Sequence, residues 1–316
     1  MNLVRLALFF VVTGLLGIFP GLQSGAFAAD ETFHAVLIGT GIPIPNSERA
    51  CAATLIVAGD RKFLVDTGRG SFMRLVETQN LDVTAVLYTH FHNDHISELG
   101  EFMVNRAIGG AKLPMRVLGP KGMRDVADAL LAPYERDTEY RVAHHGEKYS
   151  AAAMTADVEE HEAGVIYEED GLIIRMFEVD HHPIEPAVGY RFEFQGKSIV
   201  ISGDTKKAAI MVEMAKDCDL LIHEAMNTQV LKGMVGALKR GNPRQSAMLE
   251  ELMDYHTDKL EVAEIARDAG AKKVVLTHLV PSIPPTDAAE KMFVRGVSDI
   301  YKGEVIMARD GMVVKP

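Results

Sequence analysis

The sequence predicts an α/β protein in which two β-sheets pack face to face with helices on the outside. Apolar runs rich in Val, Ile and Leu give way to stretches of helical periodicity, and this order occurs twice along the chain. The composition, 47% hydrophobic over 316 residues, allows a large buried core. No repeat, low-complexity tract or flexible linker divides the chain, so a single catalytic domain from residue 30 to 316 is expected.

The first residues predict a signal peptide. Residues 1–29 carry one early basic residue, Arg5, then an apolar stretch, and they end in a small-residue A-x-A pattern. The apolar stretch from Leu6 to Phe19 has 14 residues, fewer than the roughly 20 that span a bilayer. We therefore expect a periplasmic or secreted mature protein with no stable membrane insertion after cleavage.

Strands open the first half of the mature chain. Apolar or β-branched runs are separated by Gly, Pro, Asn and Asp in FHAVLIGTG, AATLIVAG, RKFLVDTG and VTAVLYTH. Helical periodicity follows in ISELGEFMVNRAI and GMRDVADALLAPYERD. Residues 113–169 are expected to supply a lid or substrate-facing insertion, in which His144 and His145 are exposed polar residues.

The second half repeats the order. Its strand-like runs are GLIIRMFEVDH, AVGYRFEFQGKSIVISGDT and CDLLIHEA, and two helical segments, SAMLEELMDYH and KLEVAEIARDAGA, lead into the strand KKVVLTH. The two cysteines, Cys51 and Cys218, have no C-x-x-C spacing and are expected to be buried free thiols. Zinc-thiolate chemistry is therefore not expected.

The motif THFHNDH predicts a metal site. It places His90, His92, Asp94 and His95 in a loop between an apolar strand and a helix that begins near Asp94 or His95. Such loops are where a rigid scaffold displays functional side chains. Neutral imidazole and carboxylate at short spacing are ligands for zinc and similar metals.

Four further strands end in a residue that can bind a metal. The candidates are Asp66, His181 or His182, Asp204 and His278. Each of these residues alone is weak evidence for a metal site. An Asp before Thr-Gly, for example, is more often a turn residue. Together with the motif they exceed the four ligands of one closed zinc site. A two-metal site is the natural inference, with a bridging carboxylate and a water-derived hydroxide between the ions.

These residues carry a resemblance to a known family. THFHNDH matches the H-x-H-x-D-H signature of the metallo-β-lactamase superfamily, and the order of the other strand-end residues follows the ligand motifs of that family along nearly all the mature chain. The resemblance implies a four-layer αβ/βα sandwich, the metallo-β-lactamase fold, with a di-metal site at one edge of the sheets.

The resemblance also implies a ligand set for two zinc ions or similar divalent metals. One ion takes His90, His92 and His181, the other takes Asp94, His95 and His278, and Asp204 bridges both. Asp66 is expected to orient the site from behind the ligands. His181 is preferred and His182 is the alternative, because the distance from His181 to the GYR sequence matches the pattern of the arylsulfatase-like members of the family.

Within the superfamily, the chain resembles the branch that contains ribonuclease Z and secreted arylsulfatase-like hydrolases. The run VDHHPIEPAVGYRFE is closer to the arylsulfatase-like group. Glu224 and His256 resemble the pair with which this branch protonates a leaving group, and His223 is expected to be structural. Asp94, Glu224 and His256 are thus the expected catalytic residues.

The expected function is di-zinc hydrolysis of small anionic esters, arylsulfatase-like or phosphodiesterase-like. The alternatives are a ribonuclease Z acting on tRNA 3′ ends, a lactonase, and a non-enzymatic exported metal-binding protein. Cleavage of the signal peptide lowers the formal charge from −11 to −12, which does not favour a polyanion, so no nucleic acid is expected as a partner. The basic stretch GALKRGNPRQ is interpreted as a solvated loop. The family suggests a homodimer.

Overall fold

The structure is a computed structural model that describes residues 32–316. The predicted signal peptide, residues 1–29, and the predicted domain start at residue 30 lie outside the described residues. Within residues 32–316, no helix combines the length and the apolar character that a membrane span requires.

The first sheet is built mainly by the amino-terminal half of the chain. In the described residues it has seven strands in the order β14-β1-β2-β3-β4-β5-β6. Their bounds are Phe33–Gly39 (β1), Ala53–Ala58 (β2), Arg61–Val65 (β3), Ala85–Leu87 (β4), Met115–Pro120 (β5), Ala156–His161 (β6) and Met312–Val314 (β14). Strands β14 to β3 pair antiparallel, whereas β3 to β6 pair parallel.

The second sheet repeats this plan with the carboxy-terminal half. Over the same described range it has seven strands in the order β13-β12-β11-β10-β9-β8-β7. Their bounds are Gly164–Glu169 (β7), Leu172–Glu178 (β8), Val188–Phe194 (β9), Lys197–Ile201 (β10), Leu220–Met226 (β11), Lys273–Val280 (β12) and Glu304–Met307 (β13). Strands β7 to β10 pair antiparallel, and β10 to β13 pair parallel.

Helices cover the outer face of each sheet. Those of the first half are α1 (Ser71–Glu77), α2 (Asn93–Ile96), α3 (Leu99–Ile108), α4 (Met123–Leu131) and α5 (Glu135–His145). Those of the second half are α6 (Ala209–Met214), α7 (Thr228–Leu238), α8 (Pro243–Glu251), α9 (Lys259–Ala269), α10 (Asp287–Phe293) and α11 (Val297–Ile300). Helices α1, α3 and α4 pack on the first sheet, and α6, α9 and α10 pack on the second.

The central core lies between the sheets. Phe63 of β3 and Phe192 of β9 face each other with ring centroids 6.2 Å apart, and both are fully buried. Aliphatic residues of both sheets, such as Leu37 and Ile222, complete this layer. The order helix, sheet, sheet, helix is the predicted four-layer αβ/βα sandwich, and the prediction is confirmed.

The parallel strands fix where functional side chains meet. Because parallel strands end at the same edge of a sheet, the loops after β3, β4 and β5 lie side by side, and so do those after β10, β11 and β12. Strand β8 runs in the direction of β10, so its end reaches the same edge. This edge of the two facing sheets carries the candidate site.

The structure differs from the sequence-based expectation between residues 113 and 169. This segment is not an insertion, because it contributes β5 and β6 to the first sheet and β7 to the second. Helix α5 in this segment buries none of its residues and carries the exposed His144 and His145. Cys51 and Cys218 are buried free thiols, as predicted.

Candidate metal centre

Two close turns bring the site loops together. Gly68 approaches the motif loop so closely that an added Cβ would lie 2.0 Å from the Asp94 carbonyl oxygen. The neighbouring Thr67 amide donates to the His95 carbonyl at 2.7 Å. Gly203 has φ of +62°, and a Cβ there would lie 2.6 Å from the Val188 carbonyl oxygen. Glycine is therefore required at both turns, one beside the motif and one before Asp204.

The first ligand group joins the motif to two other strand ends. One side-chain atom from each of four residues lies within 4.8 Å of the others, and these residues are His90, His92, His181 and Asp204. Nε2 of His90 and Nδ1 of His92 are 3.0 Å apart. The exposed His182 belongs to none of the ligand groups and pairs instead with Glu185 at 3.3 Å. The structure thus places His181 rather than His182 at the site.

The second group adjoins the first. Ligand atoms of Asp94, His95 and His278 also lie within 4.8 Å of one another. Asp204 stands between the two groups. Its Oδ2 lies 3.5 Å from Nε2 of both His95 and His278, 3.9 Å from Nε2 of His90 and 4.0 Å from Nε2 of His181. That central position suits a carboxylate shared by two cations.

Asp66 lies behind the ligands. Its Oδ2 is 2.8 Å from Nδ1 of His95 and accepts from the Thr89 hydroxyl, and its Oδ1 accepts from the Thr89 amide. The backbone of Asp66 has φ of 65°, and that of His278 has φ of 44°. A left-handed conformation at a non-glycine residue costs on the order of 1 kcal/mol, and such strain concentrates at functional sites.

The hydrogen bonds leave ring nitrogens available for a metal. His95 holds Asp66 through Nδ1, and His181 holds the Tyr255 carbonyl through Nδ1 at 2.9 Å. In both rings Nε2 is buried and has no hydrogen-bond partner, and the same is true of Oδ1 of Asp94. Buried polar atoms without a partner are rare and call for an explanation. Imidazoles fixed through one nitrogen and directed inward through the other are typical of metal ligands, so the residues fit a bound cation.

The electrostatics of the cluster agree with this fit. Burial and the neighbouring His95 hold the pKa of His90 well below its usual range, and burial lowers the pKa of His92 and His181. These rings are neutral near pH 7, as ligands must be. Burial also opposes charge on His95, yet the surrounding carboxylates, Asp204 first, raise its pKa well above the usual value. The cluster therefore favours positive charge at its centre.

Glu224 and His256 form a pair at the border of the cluster. Oε1 of Glu224 accepts from the amides of Thr205 and Thr257 and lies 3.0 Å from Nδ1 of His256. Burial opposes protonation of His256, but the charge and hydrogen bond of Glu224 outweigh it and raise the pKa of His256 to about 9. A ligand atom of His256 lies within 4.8 Å of those of Asp204 and His278. An imidazole whose protonated form is stabilised by Glu224 thus lies beside the metal cluster.

Two residues with supporting contacts were not predicted from the sequence. Tyr255 orients His181 through its carbonyl group, and its ring lies 5.2 Å from that of His181. A backbone contact of this kind leaves no signal in the side-chain pattern. Thr89 joins Asp66 to the motif loop, and its place directly before His90 is the one feature that points to it. The neighbouring His223 is fully buried, and its Nδ1 lies 2.7 Å from the Glu224 carbonyl.

Replacing Asp66 with asparagine tests the orienting role. We expect the variant to fold and its metal affinity to fall about 10- to 100-fold, because the neutral amide no longer fixes the His95 tautomer. Competition with a chromogenic chelator measures this. Asp310→Asn is a matched control, since Asp310 also accepts from the amide and hydroxyl of one threonine, Thr40, and belongs to no ligand group. Equal metal affinity in both variants contradicts the role.

Comparison with known proteins identifies the family. A family model described as the beta-lactamase superfamily domain matches residues 61–279, a span that contains every expected metal ligand and Asp66. Ribonuclease Z of Mycobacterium marinum (strain ATCC BAA-535 / M) is 36% identical over 252 residues, covering 78% of this chain and 86% of that protein. The chain belongs to the metallo-β-lactamase superfamily, in its ribonuclease Z branch.

A second ribonuclease Z is similar to this chain over most of its length, and two solved structures share its fold. Ribonuclease Z of Mycobacterium sp. (strain KMS) is 33% identical over 296 residues and covers 90% of this chain and 99% of that protein. The crystal structure of the short form of human tRNase Z has a TM-score of 0.64 at 20% identity, covering 89% and 98% of the two chains. The metallo-β-lactamase fold protein YhfI from Bacillus subtilis has a TM-score of 0.63 at 19% identity, covering 90% and 99%.

Membership in this branch corrects one expectation. A small anionic ester as substrate, with no nucleic acid as partner, is contradicted by relatives that are named ribonuclease Z. The coarser expectation is confirmed, since the superfamily is one of hydrolases that use divalent metals, and the clustered His and Asp residues fit that use.

Proposed function

We propose that this protein is a metal-dependent endoribonuclease of the ribonuclease Z type, which hydrolyses a phosphodiester bond near the 3′ end of a precursor tRNA. The observation that carries the proposal is the Glu224–His256 pair at the border of the metal cluster. The names of the relatives support it, and those relatives favour ribonuclease Z over an arylsulfatase.

The metal cluster would hold two divalent cations, which we propose are zinc. His90, His92 and His181 would bind one ion, and Asp94, His95 and His278 the other, with Asp204 shared by both. Divalent ions supply Lewis acidity, which neutralises charge on a phosphate and makes an attacking water more acidic. The mixture of imidazole and carboxylate donors without a thiolate suits zinc or manganese.

The residues of the chain supply proton transfer to the leaving group. Glu224 fixes Nδ1 of His256, so the free nitrogen Nε2 is the one that carries a proton into the site. When the phosphodiester bond breaks, the departing ribose oxygen takes up that proton and leaves as a hydroxyl group. Ribose alkoxide is a poor leaving group, so an RNA substrate needs this general acid.

The direct test is cleavage of a tRNA transcript that carries a 3′ extension. We expect the purified protein, loaded with zinc or manganese, to release the trailer and leave a 3′ hydroxyl on the tRNA. Product ends are mapped on a sequencing gel, and metal content is measured on the same sample. A protein with its full metal complement that leaves this transcript and unstructured RNA intact overturns the proposal.

Export is a separate proposal. We propose that the signal peptide predicted in residues 1–29 directs the protein out of the cytoplasm. Precursor tRNA is made in the cytoplasm, so an exported protein would cleave the same kind of bond in RNA outside the cytoplasm, and the tRNA transcript serves as the test substrate in vitro. Cell fractionation with amino-terminal sequencing of the mature protein tests this, and a cytoplasmic protein with an intact amino terminus contradicts it.

A further inference from the structure

The segment between Glu224 and His256 forms a helical hairpin that begins and ends at the candidate site. We call residues 228–254, which contain α7 and α8, the α7–α8 hairpin. Its base is tied down on both sides, because the Met226 amide donates to the Thr257 carbonyl at 2.8 Å and the Thr228 amide donates to Asp258 at 2.9 Å. The base of the hairpin is therefore fixed directly beside Glu224 and His256, the two residues of the proton-donating pair.

The hairpin is held together by its own small core. Leu231 of α7 and Leu249 of α8 are buried against each other, together with Ile42, Met226 and Val280 at the base. The Ser246 hydroxyl of α8 donates to the Val235 carbonyl of α7 at 2.9 Å. The inner faces of α7 and α8 thus pack against each other, and the outer faces of both helices are exposed to solvent. Helix α7 rises about 16 Å from base to tip at 1.5 Å per residue.

The exposed face is basic in an acidic protein. From Thr228 to Leu249 the hairpin has four basic residues and no acidic residue, and its three acidic residues, Glu250, Glu251 and Asp254, follow at the end of α8 and just beyond it; the whole chain has a formal charge of −11. The four are Lys232, Lys239, Arg240 and Arg244, and all are exposed. In the described part of the chain none of them lies within 4.0 Å of a carboxylate. Cations elsewhere are commonly paired, as Arg309 is with Glu290 at 2.8 Å.

The cations are spread from α7 to the tip of the hairpin. Lys232 and Lys239 are seven residues apart, which places them on the same side of α7. Arg240 lies in the turn after α7, and Arg244 lies in the first turn of α8. Cations without carboxylate partners, spread over a hairpin that rises about 16 Å from the catalytic site, fit several phosphates of a polyanion bound across that site.

We propose that the α7–α8 hairpin binds the phosphate backbone of the RNA substrate, at nucleotides away from the bond that is cleaved. The inference rests on the proposed ribonuclease function and names the surface by which this chain holds its substrate. The hairpin neutralises phosphates without reading bases, because lysine and arginine on an exposed helix supply charge but no shape for a base. Its tie to Thr257 and Asp258 fixes the bound strand relative to His256.

A membrane surface is the competing partner of the same chemistry. Val230, Met234 and Met248 are exposed on the hairpin beside the cations, and basic helices with apolar residues bind anionic lipid. RNA is favoured because the base of the hairpin adjoins Glu224 and His256, so a long polyanion bound along the hairpin also reaches the site. The test therefore includes vesicles that contain phosphatidylserine.

The test removes the four charges and keeps the fold. The variant is Lys232→Gln/Lys239→Gln/Arg240→Gln/Arg244→Gln. A control with the same change in charge removes four exposed cations at the opposite edge of the second sheet, near the starts of β11, β12 and β13, and it is Lys216→Gln/Arg267→Gln/Lys272→Gln/Lys302→Gln. Because Arg267 pairs with Asp268 and Lys272 with Asp219, thermal unfolding of the control is measured alongside its RNA binding. We expect the hairpin variant to bind the tRNA precursor at least about tenfold more weakly near physiological salt, and the slope of log K against log salt to fall by about 3. The control should keep the wild-type slope.

Two substrates separate this inference from the proposed function. Hydrolysis of bis-4-nitrophenyl phosphate, which is too small to reach the hairpin, should be unchanged in the hairpin variant. If the wild-type protein cleaves RNA and the hairpin variant binds and cleaves it equally well, the hairpin inference is wrong and the function stands. If the wild-type protein binds RNA through the hairpin but does not cleave it, the function is wrong and the inference stands. Loss of vesicle binding with unchanged RNA binding also overturns the inference in favour of a membrane.

Discussion

An Asp204→Asn enzyme should cleave RNA roughly 10³-fold more slowly than the wild type, or worse. Oδ2 of Asp204 lies within 4.0 Å of Nε2 of four histidines, so it is the atom both cations would share. Burial alone would raise the pKa of Asp204, but His278 and His95 hold it well below the usual range, so the group is an anion in the folded protein. The asparagine has the same shape without that charge, and losing about 4 kcal/mol of charge stabilisation corresponds to the stated factor.

Metal content distinguishes loss of a bridge from loss of the fold. Asp204→Asn should hold fewer metal ions per chain than the wild type, measured by atomic emission after gel filtration, while its circular dichroism is unchanged. Asp219→Asn is the control, because Asp219 is also buried and charged but is held by Lys272 and the Ser198 amide, away from the ligand groups. It should lower stability and leave metal content intact. An Asp204→Asn enzyme with normal metal content and rate would contradict a shared carboxylate.

The positions of the ligands could be predicted because apolar runs in the sequence show where strands end. Each ligand-bearing segment follows, or ends, an apolar run, and parallel strands bring those ends to one edge. The motif loop that begins at His90 follows β4, and Asp204 follows β10. Long-range contacts such as that between His278 and Asp94, 3.1 Å apart, then come from the fold rather than from local pattern.

Parts of the fold were missed where the residues carry little hydrophobic pattern. Strand β6 has the sequence ADVEEH and β7 has GVIYEE, and each lies at the edge of its sheet. Edge strands often carry charge, which protects them from pairing with other chains and hides them from a search for apolar runs. Helix α7 contains Gly233 and Gly236, each costing about 1 kcal/mol relative to alanine, so its helical state depends on packing of Leu231 against α8.

The expected substrate was wrong because net charge does not report how charge is distributed. A formal charge of −12 on the mature chain argued against a polyanion. Many cations of the folded chain pair with carboxylates, whereas within the described residues Lys239, Arg240 and Arg244 have no such partner and lie at the tip of the α7–α8 hairpin, whose base adjoins the site. The stretch interpreted as a solvated loop is the end of α7, a turn and the start of α8.

Replacing His256 with alanine should slow RNA cleavage about 10²- to 10⁴-fold and slow hydrolysis of bis-4-nitrophenyl phosphate less than about tenfold. A ribose oxygen leaves readily only when it is protonated, whereas 4-nitrophenolate leaves without a proton. Nδ1 of His256 is held by Glu224 at 3.0 Å, so the imidazole is fixed for transfer through Nε2. The ratio of the two rate losses, measured as kcat/KM on both substrates, is the quantity that reports proton donation.

The same ratio distinguishes proton donation by His256 from a role as a metal ligand. Its ligand atom lies within 4.8 Å of those of Asp204 and His278, so the ring is also close enough to bind a cation. A ligand role predicts equal losses on both substrates and a lower metal content, whereas proton donation predicts a selective loss on RNA at full metal content. Glu224→Gln is the companion variant: it keeps an acceptor for the Thr205 and Thr257 amides but removes the charge beside His256, so it should show the same selectivity at smaller size.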